Sequence, residues 1–477
     1  MAFGPHAGMW AAEMAEKYGE MFTCQLGSKT WVFLNSSRVV TDLLEKRSAI
    51  YSSRPEMPMV QETLSGGYRM VLMPYSDRWR ALRKVMHGIL NGQQQETKFY
   101  PYQELESKQL LYEYLHSPEK WYKANLRYSN SVVMSVVFGR RARMEDPELQ
   151  ELFETAEVMT SNLTAGANIV DMFTWVARLP KFLQWWRPYG EKWFHETRRY
   201  EQIPKPESTS KLTIAASVYK RELDRIREKM GNGNAPPCFA VDFEQTSYKT
   251  PFDETQKCFA LGALMEAGSD TSRTSTNQLL AAAALYPDFV KTARAELDEI
   301  CGYNAERLPV FSDKEKLPYI MAVVKEVLRW RPFVSTGIPH MLTKDDEYEG
   351  YKFPAGTVFT WNAYGIALSA VDYDRPIEFL PERFLNDDLH NATKGHWAFG
   401  AGRRVCVGYN VAIGNLWIAF ARLLYCFDFE EDPANPIDQF RSEWEQVKSS
   451  PFPVKIRPRS QLHKELIERE CADSVIC

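Results

Sequence analysis

The stretch from Asp253 to Leu285, "DETQKCFALGALMEAGSDTSRTSTNQLLAAAAL", constrains the fold more than any other part of the chain. Asp253 with Gln256 three residues on makes a capping box, and Tyr286-Pro287 supplies the stop. About 33 helical residues at about 1.5 Å each span roughly 50 Å, the width of a whole domain. The run is apolar on most faces, which predicts a central buried helix. Glu266, Asp270, Arg273 and Gln278 interrupt it too often for a membrane span.

Within that helix, "EAGSDTS" at 266–272 breaks the local rule, because Gly268, Ser269, Asp270 and Thr271 are poor interior helix residues. Such breaks in a core are candidates for function. Thr271 lies over Ala267 and Gly268, so its hydroxyl can compete for a carbonyl of that turn and open a kink, leaving a groove beside a hydroxyl and a carboxylate. A solvated polar patch is the plain alternative. A second constellation sits in "YIMAVVKEVLRWRP", residues 319–332, where Pro318 suits a first helical position and Pro332 ends the run. Glu326 and Arg329 fall at i and i+3 on a face shared with Ala322, Val323 and Trp330. They read as a buried pair, or else as an ordinary surface pair. Arg383 in "PERF" is placed to complete a network.

Strand signals stand near both ends. After a short helix ending near Gly19, "EMFTCQLG" and "TWVFLN" flank a Gly-Ser-Lys turn as a hairpin, and a second strand-rich patch covers 348–362. Further helices are expected over 77–90, 127–138, 147–160 and 215–230. The polar stretches at 201–211 and 231–237 read as exposed connections rather than domain linkers, because the strand signals of the two ends want to pair. The expectation is one large domain over 1–477, mainly α with small β-sheets, an α+β fold.

A formal net charge of -4 gives no reason to expect a nucleic-acid partner. Eight cysteines are scattered without a CxxC pair, which favours a reducing compartment. The first twenty residues carry glutamates and glycines where a signal or anchor needs an unbroken apolar run. A membrane anchor, if the natural protein has one, is expected outside this sequence.

One cysteine differs from the rest. "FGAGRRVCVG", Phe399 to Gly408, sets Cys406 among Gly400, Gly402, Gly408, Arg403 and Arg404, just ahead of the helical pattern "YNVAIGNLWIAFARLLYCF". The glycines allow turns and close backbone approach. The unpaired amides and positive dipole end of a helix N-terminus favour a thiolate, which is a nucleophile or a metal ligand. A nucleophile wants a histidine base, and His396 ten residues upstream is a weak sign. Zinc wants further Cys or His at close spacing, and none is present. A dinucleotide-binding glycine motif fails for want of its third glycine and its strand. There remains one thiolate on an iron whose other equatorial ligands come from a porphyrin, held non-covalently because no CxxCH motif occurs.

Phe399-x-x-Gly402-x-Arg404-x-Cys406-x-Gly408 resembles the haem-binding signature of the cytochrome P450 family. Glu326-x-x-Arg329 resembles its K-helix pair, "PERF" its following arginine motif, and Ala267-Gly268-x-Asp270-Thr271-Ser272 its I-helix motif. Trp79-x-x-x-Arg83 resembles its C-helix motif. All five stand in the family's order, from the first hairpin to about Pro458. The resemblance implies haem b with Cys406 as axial iron ligand, its thiolate pushing electron density toward bound dioxygen. It implies that Phe399 covers the proximal side and that Arg404, Trp79, Arg83 and His340 of "GIPH" receive the haem propionates. Glu326, Arg329 and Arg383 are then structural, and Asp270 and Thr271 help deliver protons during oxygen activation.

The implied reaction inserts one oxygen atom from O2 into a small apolar organic substrate. The intact Asp270-Thr271 pair speaks against the family's isomerases and dehydratases and against a haem-binding sensor without turnover. Electrons are expected from a separate NADPH-cytochrome P450 reductase. Arg78, Arg80, Lys84, His87 and Arg403 offer a basic docking face for it, or a solvated charge run. The segment 171–190, rich in Trp, Phe, Lys and Arg, corresponds to a region that dips into membranes in the family, or else packs as an amphipathic helix. By analogy 334–338 and 56–73 line the substrate pocket. The pattern looks most like fungal microsomal members, many of which serve secondary metabolism. It implies the cytosolic face of the endoplasmic reticulum, with a cytoplasmic location left open.

Overall fold

The computed structural model describes residues 7–91, 95–146, 158–159, 161–163, 167–198, 215–247, 251–439 and 450–476. The N-terminal helix α1 (Ala7–Tyr18) leads into the expected hairpin. There β1 (Met21–Leu26) pairs antiparallel with β2 (Lys29–Leu34), Met21 opposite Leu34. The helices α2 (Asp77–Leu90), α3 (Tyr100–His116), α4 (Trp121–Phe138), α5 (Arg187–Arg198) and α6 (Ala215–Gly231) follow, then α7 (Glu254–Leu285), α8 (Pro287–Cys301) and α9 (Pro318–Trp330). Beyond them come β3 (His340–Met341), β4 (Asp346–Tyr348), β5 (Tyr351–Phe353) and β6 (Val358–Trp361). The chain continues through α10 (Tyr409–Cys426), β7 (Phe427–Glu431), β8 (Val454–Pro458) and α11 (Gln461–Cys471).

The two ends of the chain do pair. Strand β2 runs parallel to β6, Trp31 opposite Val358, and β3 closes a sheet of order β1-β2-β6-β3. This places His340, opposite Phe359, beside the N-terminal third of the chain. The expected helix 127–138 starts earlier, at Trp121, because buried polar residues such as Asn125 and Arg127 hide its periodicity. The expected helix 147–160 and the loop 201–211 lie outside the described residues, apart from two helical residues at 158–159.

Helix α7 is 32 residues of continuous α-helix packed against α4, α10 and α9. Asp253 caps it, accepting from the Gln256 amide at 2.8 Å. The other half of the capping box is not made: the Gln256 side chain instead donates to the Tyr68 carbonyl at 3.2 Å, fastening the segment before α2 to the helix start. The Thr271 hydroxyl donates to the Ala267 carbonyl at 2.7 Å, yet the helix runs on unbroken. Helix α9 departs from the one-sided pattern more sharply, since every residue from Tyr319 to Trp330 is buried. Even Lys325 is enclosed, its Nζ donating to the carbonyls of Asp388 and Asn391 at 2.5 and 3.1 Å. A helix threaded through a core has no solvated face for a sequence pattern to reveal.

Candidate functional site

The Cys406 loop is shaped before it reaches α10. Gly400 and Gly402 take left-handed backbone, φ 77° and 56°, and a Cβ on Gly402 would run into the Leu44 carbonyl oxygen. The loop closes on itself, with the Cys406 amide donating to the Phe399 carbonyl at 2.8 Å. Gly408 differs: its φ is an ordinary -99° and a Cβ there would meet no protein atom. Its amide points at Cys406 Sγ, 3.4 Å away. Phe399 is half-buried between His396 and Tyr409.

Cys406 is exposed as a residue, yet burial pushes its thiol upward against the pull of the Gly408 amide and Arg83. The two facts agree if Sγ lines a cleft ringed by protein. The helix N-terminus therefore does not by itself favour a thiolate here. A further positive charge is needed, such as a metal would bring. His396 is no base for it. Burial holds its pKa down to about 3, and no hydrogen bond joins it to Cys406 among the described residues.

Beside the loop, three arginines gather without an anion. Arg404 donates to the carbonyls of Ser52 and Met73, both at 2.7 Å, and leaves a buried Nη1 unpaired. Burial, then Arg54 and Arg83, push its pKa down to about 8. Arg83 donates to the Val405 carbonyl at 2.6 Å. Arg54, which nothing in the sequence marked out, donates to the carbonyls of Val71, Ile338 and Pro339, and burial pushes its pKa down to about 9. None of the three forms an ion pair among the described residues. Guanidinium keeps its proton at neutral pH, so such a cluster is a strained set of charges that an anion would relieve. Trp79 lies under Arg404, 4.0 Å from guanidinium carbon to ring centroid, and under Arg83 at 5.4 Å. His340 is buried, and burial with Arg54 and Arg404 holds its pKa well below the usual value. Its Nδ1, 2.8 Å from the Tyr51 carbonyl, carries the proton. As it stands, then, His340 presents Nε2 as an acceptor rather than the carboxylate donor expected of it.

These residues fit a haem: a cleft-lining sulphur flanked by cations that lack counter-charges is what an iron porphyrin with two carboxylates would complete. On α7, Ala267 and Thr271 are exposed in the middle of a helix otherwise enclosed, so this stripe faces accessible space. Asp270 does not share it. Its Oδ1 lies 3.0 Å from Arg273 Nη2, and Arg273 is buried with Nη1 donating to the Tyr122 hydroxyl of α4 at 2.9 Å.

The Glu326 carboxylate accepts from Arg329 at 2.7 and 2.8 Å, from the Leu380 amide at 2.8 Å, and pairs with Arg383 at 3.2 Å. Arg329 also donates to the carbonyls of Ala367, Pro376 and Glu378. Tyr373 lies against both guanidinium groups, and its hydroxyl donates to the Gly395 carbonyl at 3.0 Å, linking the network to the stretch before the cysteine loop. On α2, Arg78, Arg80, Lys84 and His87 are exposed, as is Arg403. Three of the five are engaged within the protein: Arg403 donates to the Tyr75 hydroxyl at 2.6 Å, Arg78 pairs with Asp253 at 3.6 Å, and Arg80 pairs with Asp77. The segment 171–190 is not one amphipathic helix: short helical turns at Thr174–Arg178 and Lys181–Leu183 lead into the start of α5 at Arg187. It buries Val176 and Trp186 while Trp175, Phe182 and Trp185 stand out, Phe182 at 86% exposure. No helix among the described residues is long and apolar enough to cross a membrane.

The chain resembles cytochrome P450 monooxygenase verL of Clonostachys rogersoniana, 33% identical over 97% of this chain and 85% of the other. It also resembles cytochrome P450 monooxygenase fogE of Aspergillus ruber, 32% identical over 94% and 82%. A zebra fish cytochrome P450 solved with progesterone shares the fold, with a TM-score of 0.74 at 21% identity, covering 95% of this chain and 99% of that one. The family profile, Cytochrome P450, matches residues 4–456, and with it the chain belongs to the cytochrome P450 family, as one of its monooxygenases.

Proposed function

We propose that this enzyme binds haem b through Cys406 and hydroxylates a small organic substrate, in fungal secondary metabolism, with electrons from NADPH-cytochrome P450 reductase. The observation that carries the reading is the exposed Cys406 near Arg54, Arg83 and Arg404, buried or half-buried cations with no carboxylate to pair with among the described residues. Bound haem with a thiolate ligand supplies the activation of O2 for insertion of one oxygen atom into a C–H bond.

The chain's own residues bind, orient and manage protons. Arg404, Arg83 and Arg54 hold the propionates by charge-assisted hydrogen bonds, with Trp79 fixing two of the guanidinium groups from below. His340 joins them when a propionate raises its pKa enough to protonate Nε2. Phe399 shields the sulphur side, and Gly408 directs its amide at Sγ. Glu326, Arg329 and Arg383 lock the loop 367–383 under the cysteine stretch. The Thr271 hydroxyl commits its proton to the Ala267 carbonyl, so its lone pairs face the cleft and accept a hydrogen bond there. Asp270 reaches that site by leaving Arg273.

The basic residues of α2 with Arg403 suit an acidic reductase surface. The outward aromatic side chains of 171–190 suit contact with a membrane surface on the cytosolic face of the endoplasmic reticulum. A reduced, carbon monoxide-bound spectrum tests the thiolate, and an unshifted Soret band would defeat it. With reductase and NADPH, Thr271→Ala is expected to retain haem and reduction but to release most of the consumed oxygen as peroxide. Unchanged coupling would remove Thr271 from the proton path.

A further inference from the structure

One turn before Asp270, α7 carries a second acid that the proposed oxygen chemistry does not use. Glu266 pairs through Oε2 with Nη1 of Arg69, a buried residue of the segment ahead of α2. The pair is half finished. Arg69 Nε, a donor, and Glu266 Oε1, an acceptor, are buried without partners. The hydroxyl of Tyr219, on α6, is buried beside them. It interacts with the Glu266 carboxylate, and burial together with that contact keeps it a neutral phenol. Buried polar groups are nearly always paired, so an unpaired donor and an unpaired acceptor on two facing elements call for a cause.

Their position supplies one. Glu266 precedes Ala267, whose exposure marks the accessible stripe of α7, and its own side chain keeps 16% exposure although Oε1 is buried, so the side chain lies at the border between sealed wall and accessible space. Arg69 is two residues from Val71, whose carbonyl Arg54 ties to the 338–339 strand approach. The wall beside it is aromatic: Tyr68 stacks on Phe259 at 5.7 Å and 19°, and the Arg69 guanidinium lies over the Phe259 ring at 5.6 Å. Tyr219 is pressed against α7 at Gly262, where any Cβ would clash with its ring.

We propose that Arg69, Glu266 and Tyr219 form a polar anchor for substrate, and that the substrate is a neutral, flat molecule bearing a hydrogen-bond acceptor and donor on neighbouring atoms, as an aromatic lactam does. The carbonyl accepts from Arg69 Nε while the N–H donates to Glu266 Oε1, after a rotation of the Glu266 carboxylate toward the cleft. Because the ion pair is neutral as a unit, it favours a neutral partner over a charged one. Glu266 and Thr271 are five residues apart, about 7.5 Å along the helix axis, so the oxidised carbon lies roughly that far from the anchored group. This rests on the monooxygenase reading for the chemistry but not for the binding.

Two probes of equal shape separate anchor from wall: 2-quinolinone, with adjacent carbonyl and N–H, and naphthalene, with neither. Calorimetric titration of the haem-loaded protein is expected to give at least tenfold tighter binding of 2-quinolinone. Glu266→Gln and Arg69→Met should bring the ratio near one while leaving naphthalene binding within about twofold. Equal binding of the two probes by the unsubstituted protein would overturn the anchor. So would Glu266→Gln or Arg69→Met weakening both probes alike with a lowered melting temperature, since the pair would then be only a clamp between the loop and α7. Failure of the carbon monoxide spectrum would sink the oxygen chemistry and leave this binding ratio standing.

Discussion

Two groups of buried and half-buried arginines differ in one respect. Arg329, with Arg383, finds the Glu326 carboxylate and a fan of carbonyls, so the network is complete within the protein. Arg404, with Arg54 and Arg83, finds carbonyls alone among the described residues. A carbonyl satisfies a donor but does not cancel a charge. The first group needs nothing from outside, whereas the second is finished only by an anion. Reading which arginines lack a carboxylate thus separates residues that hold the fold from residues that await a ligand.

The contrast predicts different kinds of failure. Glu326→Ala strands Arg329 and Arg383 with no anion in the core, and a loss on the order of 3–5 kcal/mol is expected in urea unfolding followed by tryptophan fluorescence. A loss below about 1 kcal/mol would mean that the triad is not the closed unit it looks to be. Gly402→Ala comes next. It forces left-handed backbone on a residue with a Cβ and drives that Cβ into the Leu44 carbonyl, so a cost on the order of 1–3 kcal/mol is expected in the same assay.

How far the sequence reached differs between these groups for a physical reason. The cysteine loop, the Glu326–Arg329 pair and the long α7 were legible because each repeats a local rule: glycines at turns, i and i+3 on one helix, a cap and a stop. The pairing of the two chain ends followed from strand patterns at both. Arg54 was not legible, since an arginine between Ser53 and Pro55 reads as surface until the fold folds it inward. The same holds for Arg273 and Arg69, whose partners are placed by tertiary packing against α4 and α7. Nor could any pattern show that Gln256 would leave its own helix start for Tyr68.

Arg404→Leu sharpens the comparison from the ligand side. Relief from a cation that has no counter-charge offsets part of the loss of its hydrogen bonds to the Ser52 and Met73 carbonyls, so the urea midpoint should move less than in Glu326→Ala. The rate of haem loss to an acceptor protein should rise about tenfold, equivalent to about 1.4 kcal/mol of binding. If instead the fold weakens as much as in Glu326→Ala, while haem loss is unchanged, Arg404 belongs with the structural arginines and the distinction fails.

The smallest effect is expected at Gly408, and it tests the same division inside a single loop. Gly402 is fixed by the protein around it, but Gly408 has ordinary backbone and no protein atom within reach of a Cβ. Nothing in the fold therefore demands a glycine at that position. Gly408→Ala should change unfolding stability by no more than about 0.5 kcal/mol. Any larger consequence should appear in haem content or in the reduced carbon monoxide spectrum, because the amide that points at Cys406 Sγ belongs to this residue. If the variant unfolds as readily as Gly402→Ala, backbone demands alone explain both glycines. If it folds normally but loses the thiolate spectrum, the glycine is there for what lies against the sulphur rather than for the chain.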